Sequence, residues 1–594
     1  VMQQSRYFLN VKSSACGQAW LDALDIQGIN NARAISQKFG FPDELARVLS
    51  ARDVDESEAV TFINPTLRTL MPDPESFADL QCAAERIVKA ILEKEKVAVF
   101  GDYDVDGACS SALVARFLRC LGVEVKIYIP DRIVEGYGPN EQAMRMLVQE
   151  GANLIITVDC GANSPEAVKA ARLEGADVVV LDHHQMSEVH QEAIALVNPN
   201  RPDDFSGQGH LCAAGVVFVT LAWVNHLLKK RKLREDLPDL LSMLDLVALA
   251  TICDVVPLQG VNRAFVVKGL QVARSLYNHG IVALTKVARI GEPLNSFHLG
   301  FLLGPRINAG GRIGDQALGA RLLSCEDKEE AEKIAEQLNQ LNQERQEMES
   351  IQLAQAESYI DSLYQNQDTP LSLVIAHQEW HPGVIGILAS RLKERFFCPV
   401  FAIALKEDGS GVGSGRSMSG IDLGALVREA VTLNLLEKGG GHSMAAGITI
   451  QATKIEAFRK WLEEKVSVMV SQLRAKKSLR IDGCLSASGV NKELCDMIEK
   501  AGPFGSGNTT PVFVLPSHRL VNLCEVGKGH LRLVMANIEG NKLQGIAFRA
   551  VGTPLGHFLS ENIGEMIHLA GNLSLNYWNG MITPQIRVID AAAV

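Results

Sequence analysis

The stretch VAVFGDYDVDG, Val97 to Gly107, decides how the rest of the chain is read. A short apolar run, Val97 to Phe100, is followed by three aspartates at every second residue, Asp102, Asp104 and Asp106. In an extended backbone that spacing turns all three carboxylates to one side. Three like charges on one side repel one another, and a protein interior tolerates them only around a cation. The stretch therefore predicts a metal site at the end of a strand. DxDxDG also opens an EF-hand calcium loop, but that loop carries a bidentate Glu at its twelfth position, where this chain has Leu113. The approach differs too, because Val97 to Phe100 is a β-type run and not an entering helix. A solvated acidic turn is the remaining reading of these residues by themselves.

The flanking sequence decides against the turn. Residues 78 to 94 are helix-like, ACSSALVARFLRCLG after Gly107 has helical periodicity, and VEVKIYIP from Val123 reads as the next strand. NLIITVDCG from Asn153 is another buried strand, SPEAVKAARLEGA another helix, and DVVVLDHH from Asp177 another strand. Strands separated by helices predict a doubly wound parallel sheet, an α/β fold. Asp106, Asp159, Asp182, His183 and His184 all follow the apolar part of their strands, and the carboxyl ends of strands form the ligand crevice of such sheets. Asp254, at the end of the apolar run in LVALATICDVVPL, is assigned to the same site, since a lone buried aspartate is costly without a cation or several donors. His183 and His184 alone would read as ordinary core or surface histidines. In company with the acids they complete a mixed oxygen and imidazole donor set that points to manganese or magnesium, not structural zinc. Two such ions about 4 Å apart can bridge a phosphate and activate water for an in-line displacement.

GDYDVDG, TVDCG, LDHH and the acid of CDVVPL, in this order, resemble the signature motifs of the DHH phosphoesterase superfamily. GPRINAGGR at 304–312, EWHPGVIGILASR at 379–391, GSGRS at 413–417 and GGGH at 439–442 resemble its branch of single-strand-specific 5′ to 3′ DNA exonucleases. The resemblance runs from about residue 80 almost to the C-terminus. It implies that Asp106, Asp159, His183 and Asp254 hold the principal metal, that Asp102 and Asp104 serve a second metal or its waters, and that His184 faces the scissile phosphate. Asp182 is expected to orient a histidine. Cys160 stands where the family is expected to have Asn; because it follows a ligand and is not one, activity is expected to survive.

The chain has 594 residues, 47% of them apolar, enough for about three or four domains. Its net charge of −11 argues against a passive nucleic-acid coat but not against an enzyme with local basic residues. The basic stretches Lys229 to Arg234 and Arg474 to Arg480 read as solvated helix ends or linkers. Twelve cysteines without a CxxC pair suit a reducing cytoplasm. The longest uncharged apolar run, Cys212 to Val224, is too short to span a bilayer, and no signal sequence is expected.

Residues 1–77 are expected to be a helical extension, and 78–320 the DHH catalytic domain. Ala320 to Thr369 contains no Gly or Pro, so 321–369 reads as a long connecting helix with Ile334, Leu338, Leu341 and Met348 along one stripe. Such a helix could hold two domains apart around a cleft that admits a single strand. A second α/β domain, DHH-associated, is expected at 370–470. Its glycine clusters, with Ser414 and Arg416, suggest a pocket for a 5′ phosphate, although tight turns alone would also use glycine. Arg132, Arg306 and Arg312 are candidate helpers, and Asn308 and His442 join them as substrate-binding candidates. Trp380 and His381 could contact a nucleotide, or Trp380 could simply be packed. From 478 to 594 short strands, with an NG turn at Asn579 and Gly580, predict an OB-like β-barrel; Lys528, His530, Arg532, Phe548, Tyr577 and Trp578 are interleaved along it.

The expected function is metal-dependent hydrolysis of single-stranded DNA to mononucleotides, in DNA repair and recombination, with Asp104, Asp106, Asp159, His183 and His184 catalytic and one or two Mn2+ or Mg2+ ions as cofactors. The 5′ polarity and the DNA preference come from the resemblance alone. An oligoribonuclease or cyclic-dinucleotide phosphodiesterase of the same superfamily is the first alternative, and a catalytically silent nucleic-acid scaffold the second. Expected partners are single-stranded DNA with a 5′ end, a single-strand-binding protein and a helicase; the chain is expected to be a cytoplasmic monomer without membrane contact.

Overall fold

The computed structural model describes residues 7–131, 134–136, 138–364, 369–578 and 580–594. Two compact units are formed, one from Val1–Gly311, Gln316–Glu336 and Ser478–Val594, the other from Arg312–Asp315 and Gln337–Lys477. In the first unit a five-stranded parallel sheet has the spatial order Val125–Tyr128, Val97–Gly101, Leu154–Val158, Asp177–Leu181, Ala195–Val197. The second and third strands in this order are buried throughout, as their unbroken apolar sequence requires. Ala98, Phe100, Ile155, Val178 and Val180 form one core with Met144, Leu147 and Val168 of the helices Glu141–Gln149 and Pro165–Leu173. The helices Val105–Cys120 and Ala213–Lys230 also pack on the sheet.

The strand order reverses beside Val97–Gly101, where a doubly wound sheet opens its crevice. Gly101 lies opposite Val158, Val158 opposite Leu181, and Leu181 opposite Val197. The residues that follow, Asp102, Asp159, Asp182 and Asn198, consequently leave four adjacent strands at one level.

The extended run expected through Asp106 ends earlier. The strand stops at Gly101, and Asp104 caps the helix Val105–Cys120, its Oδ1 accepting from the Gly107 N–H at 2.9 Å. Asp106 therefore belongs to the first turn of a helix. Gly107 is needed there, since a Cβ would lie 2.3 Å from the Asp102 carbonyl oxygen. Asp254 likewise follows a helix, Leu244–Cys253, as its C-cap.

The connecting helix runs over Lys328–Tyr364, 37 residues and about 56 Å. It begins later than composition suggests because Leu318–Ser324 forms its own helix, Cys325 is extended, and Asp327 Oδ1 accepts from the Glu330 N–H. The second unit holds a mixed sheet in the order Lys438–Gly441, Ala445–Gln451, Ser410–Arg416, Val400–Leu405, Leu373–His377, with the last pair parallel and the others antiparallel.

At the C-terminus Phe513–Val526, His530–Ala536, Lys542–Ala547, Met581–Ala593 and Met566–Trp578 pair in that order, and the last pairs back to the first, closing a five-stranded barrel. Asn579 of the NG turn lies outside the described residues. Ser478–Ile481, read as a barrel strand, pairs instead in parallel with Ala19–Asp22. Among the described residues the N-terminal helices share their core with the barrel, Ile35, Leu45 and Leu49 packing with Phe513, Leu515, Leu569 and Ile586. Arg263 ties these parts to the parallel-sheet region, donating to the carbonyls of Phe62, Ala501 and Gly502 at 2.9, 3.2 and 2.6 Å with its guanidinium 3.6 Å from the Phe62 ring centroid. Among the described residues no helix is long and apolar enough to cross a membrane.

Candidate metal centre

Asp159 takes a left-handed backbone, φ 59°, directly after its strand, a conformation an L side chain adopts at a cost. His183 Nε2 lies 3.2 Å from Asp159 Oδ1, 3.6 Å from Asp254 Oδ2 and 3.7 Å from Asp106 Oδ2. Three sets of donor atoms each fall within 4.8 Å of one another: Asp102, Asp104 and Asp159; Asp159, His183 and His184; and Asp106, His183 and Asp254. Asp159 and His183 each belong to two sets, so the three are contiguous.

Asp106 is steadied by the backbone. The N–H groups of Ala213 and Ala214, which open the helix Ala213–Lys230, donate to its two oxygens at 2.6 and 2.9 Å. This support was not visible in the sequence, where CAAG reads only as the start of an apolar helix. Asp182 accepts from the N–H groups of Ala162, His183 and His184 at 3.0, 2.7 and 3.2 Å, and its Oδ1 lies 2.7 Å from His184 Nδ1. Asn198 and Asn200, also unflagged by sequence, donate to the carbonyls of His184 and His183 at 2.8 and 2.6 Å. The two histidines are thus positioned through their backbone as well as their rings.

Burial drives the Asp159 carboxyl well above the ordinary carboxylate range, and the charges of Asp104, Asp106, Asp102 and Asp254 push the same way. Burial also raises Asp106. Asp254 is pushed up to about 9 by burial and then by Asp106 and Asp104, at a helix C-terminus that offers an anion no help. Asp182 behaves oppositely: against its burial, hydrogen bonding to His184 holds it low. His184 rises to about 9, because the Asp182 hydrogen bond and charge outweigh its burial. Acids this crowded cannot all ionise without a cation, and their oxygen and imidazole donors fit a hard or borderline divalent ion. Cys160 does not disturb the set; its Sγ is buried against the carbonyls of Val158 and Phe100 at 3.3 and 3.7 Å.

GPRINAGGR is helical, Gly304–Ile313, and its glycines allow close packing. A Cβ at Gly304 would lie 2.5 Å from Cys253 Sγ, and one at Gly311 would lie 3.1 Å from the Tyr103 carbonyl oxygen. The helix is thereby seated against the segments carrying Asp254 and Asp104. Arg306 and Asn308 sit on it half-buried, with Arg306 Nη1 donating to Leu302 O at 2.6 Å. Arg312 Nη1 donates to Gly383 O at 3.1 Å.

In the second unit Gly411, Gly413 and Gly415 do not cradle an anion as expected. They alternate onto the buried face of a strand, where their Cβ atoms would lie 2.7, 2.6 and 2.4 Å from Ile403, Ile448 and Phe401. Ser414 and Arg416 occupy the other face, with Arg416 Nη1 donating to Ser414 Oγ at 3.0 Å. Both approach Gly386 in the first turn of the helix Ile385–Phe396, where a Cβ would be 2.9 Å from Arg416 Nη2 and 3.1 Å from Ser414 Oγ. A hydroxyl, a guanidinium and a helix N-terminus thus converge, a donor set suited to a phosphate. Trp380, a candidate nucleotide contact, is instead only 5% exposed in this unit's core, its Nε1 donating to Gln355 Oε1 at 3.0 Å. Beside it His381 is half-buried, and His442 is exposed in the turn after Gly441. Tyr577 is exposed near the end of a barrel strand; Arg132 lies outside the described residues.

A doubly wound sheet that gathers Asp102, Asp104, Asp106 and Asp159, the Asp-His-His run and the distant Asp254 defines a DHH-type phosphoesterase, and residues 96–251 match the DHH family N-terminal domain. Residues 369–468 match the DHHA1 domain and 481–590 the RecJ OB domain. The chain is 34% identical over 560 residues to the single-stranded-DNA-specific exonuclease RecJ of Salmonella typhimurium, covering 92% of this chain and 96% of that one. Crystal structures of Thermus thermophilus RecJ in complex with Mn2+ and with Mg2+ superpose with TM-scores of 0.75 and 0.72 at 26% identity, covering 96% and 97% of this chain and 78% of each of theirs. The chain belongs to the RecJ family.

Proposed function

We propose that the chain is a metal-dependent exonuclease that hydrolyses single-stranded DNA from its 5′ end to mononucleotides. The observation that carries this reading is the sharing of Asp159 and His183 among three contiguous donor sets, in a chain of this family. Asp106, Asp159, His183 and Asp254 would hold the principal Mn2+ or Mg2+, and Asp102 and Asp104 would serve a second. Such ions act as Lewis acids on phosphoryl oxygens and lower the pKa of an attacking water.

The remaining work falls to the chain's own groups. The amides of Ala213 and Ala214 favour the ionised form of Asp106. Asp182 keeps His184 protonated at neutral pH, so that its ring offers a cationic N–H to the phosphate. Ser414 and Arg416 receive the 5′ phosphate and select the end of the strand. Arg132, Arg306, Asn308, Arg312, His381, His442 and Tyr577 contact the rest of the substrate. A reducing cytoplasm is supported by twelve free cysteines. Monomeric action with a single-strand-binding protein and a helicase, in repair and recombination, completes the proposal.

The test follows 5′-labelled and 3′-labelled single-stranded DNA, single-stranded RNA and dinucleotides with Mn2+. Immediate release of labelled mononucleotide from the 5′-labelled DNA is expected. Hydrolysis confined to dinucleotides would move the chain to the oligoribonuclease reading, and binding of DNA with no hydrolysis would move it to the silent scaffold.

A further inference from the structure

Asn262 belongs to none of the donor sets, yet it ties together the two segments that serve Asp106 and Asp254. It stands in the first turn of the helix Val261–Arg274 and is 0% exposed. Its Nδ2 donates to His210 O at 2.7 Å and to Pro257 O at 2.9 Å. His210 stands three residues before Ala213, whose N–H, with that of Ala214, holds the Asp106 carboxylate. Pro257 stands three residues after Asp254. One buried amide thus closes a bridge between the backbone cradle of one acid and the loop that carries another. Asn262 Oδ1 has no hydrogen-bond partner among the described residues, so all of the side chain's bonding goes to these two carbonyls.

The loop needs such a tether. Val255, directly after Asp254, has φ 59°, a left-handed backbone that a β-branched residue adopts only where its surroundings impose it. Its side chain is 66% exposed, so packing does not hold it there. From Val256 to Gln259 the chain is in neither helix nor strand, and its anchors are few. The Leu258 N–H donates to Ser506 O at 2.8 Å, and Asn262 grips the carbonyl one residue earlier. Cut loose from Asn262, Val255 would relax towards negative φ and swing the Asp254 carboxylate away from Asp106 and His183. The Leu258 bond would remain, which limits the displacement. The helix itself gives no reason for an asparagine at this position, since Asn is a poorer helix former than Ala and is costly to bury without bonds.

We infer that Asn262 is a positioning residue of the metal centre, setting the separation of Asp254 from Asp106 by joining the loop behind one to the cradle of the other. The inference rests on the metal-centre reading, and the test separates the two. Calorimetric Mn2+ binding to the metal-stripped full chain is compared with the urea midpoint and with the Mn2+ dependence of hydrolysis. Asn262→Leu keeps the branched outline and removes both donor hydrogens. Mn2+ affinity should fall about tenfold, with the rate largely restored at saturating Mn2+ and the KM for DNA little changed. Adding Val255→Gly, which accepts φ 59° without strain, should return part of the lost affinity. If Asn262→Leu does not fold, Asn262→Ser, which retains one donor, takes its place and should show a smaller loss. Mn2+ affinity equal to that of the wild type would overturn the inference. So would a loss that Val255→Gly leaves untouched, which would make Asn262 a packing residue only. A wild-type chain that binds no Mn2+ would instead overturn the metal-centre reading, and this inference with it.

Discussion

Asp182 Oδ1 lies 2.7 Å from His184 Nδ1 and spends its remaining acceptor capacity on three backbone N–H groups. The carboxylate is absent from the donor sets, yet it fixes the ring and the charge of a residue within one of them. Asp182→Asn is therefore expected to cost about 10- to 100-fold in metal affinity or activity. Its effect on pH is more diagnostic. Asp182 raises His184 to about 9, so its loss lowers that pKa, and the alkaline limb of the rate profile should move towards acid. An unmoved limb would mean that His184 does not act as a cation.

Asp159→Ala removes the acid shared by two donor sets. Hydrolysis should fall to background and calorimetric Mn2+ binding should weaken, while affinity for single-stranded DNA in EDTA is retained. Retained hydrolysis would show that the metal is held elsewhere.

Arg416→Ala removes a guanidinium from the Ser414 and Gly386 corner. The preference for 5′-phosphate over 5′-hydroxyl ends should drop by about tenfold, the value of a charge-assisted hydrogen bond. Ser414→Ala should show a smaller drop. Competition between the two kinds of end in one reaction reads the ratio directly.

Asp245 offers a stability test remote from the donor sets. It is buried in the first turn of the helix that ends in Asp254, and burial pushes its carboxyl up to about 6. Between about pH 4 and pH 6 the folded chain keeps a proton that the unfolded chain releases, so stability falls as pH rises through this window. Above it the penalty is complete, about 3 kcal/mol at 1.36 kcal/mol per pKa unit. Asp245→Asn should remove this contribution to the fall, leaving that of the raised Asp106, Asp159 and Asp254, and raise the urea midpoint at pH 7.5.

Arg263 Nη2 donates to three carbonyls, those of Ala501 and Gly502 buried and that of Phe62 partly buried. Arg263→Met strands the Gly502 and Phe62 carbonyls, while Ala501 O keeps the Asn508 Nδ2 donor at 2.9 Å, and at about 1–3 kcal/mol for each stranded group the loss should reach about 2 kcal/mol or more, read as a lower urea midpoint.

Much of the parallel sheet was legible because apolar runs of five residues between helical segments admit few other readings. The convergence of Asp102, Asp159 and Asp182 followed from the same runs, since aligned strand ends bring the next residues level. Other features depend on contacts that spacing does not encode. The Asp102 to Asp106 alternation suggested an extended strand, but Asp104 is a better helix cap, and capping turned Asp106 onto a helix. The glycines at 411, 413 and 415 looked like an anion cradle, whereas large neighbours such as Phe401 and Ile448 needed their space. Trp380 could have faced solvent or core, and Gln355, a distant residue on the long helix, supplies its hydrogen-bond acceptor.

The shared core of Ile35, Leu45 and Leu49 with the barrel joins segments that lie far apart in the sequence. During synthesis, the first helices emerge roughly five hundred residues before the strands that cover them. Their apolar faces must wait uncovered while the whole intervening protein is made. This shared core can close only once the barrel strands have left the ribosome, and until then a nascent chain shielded by chaperones should outlast one that is not.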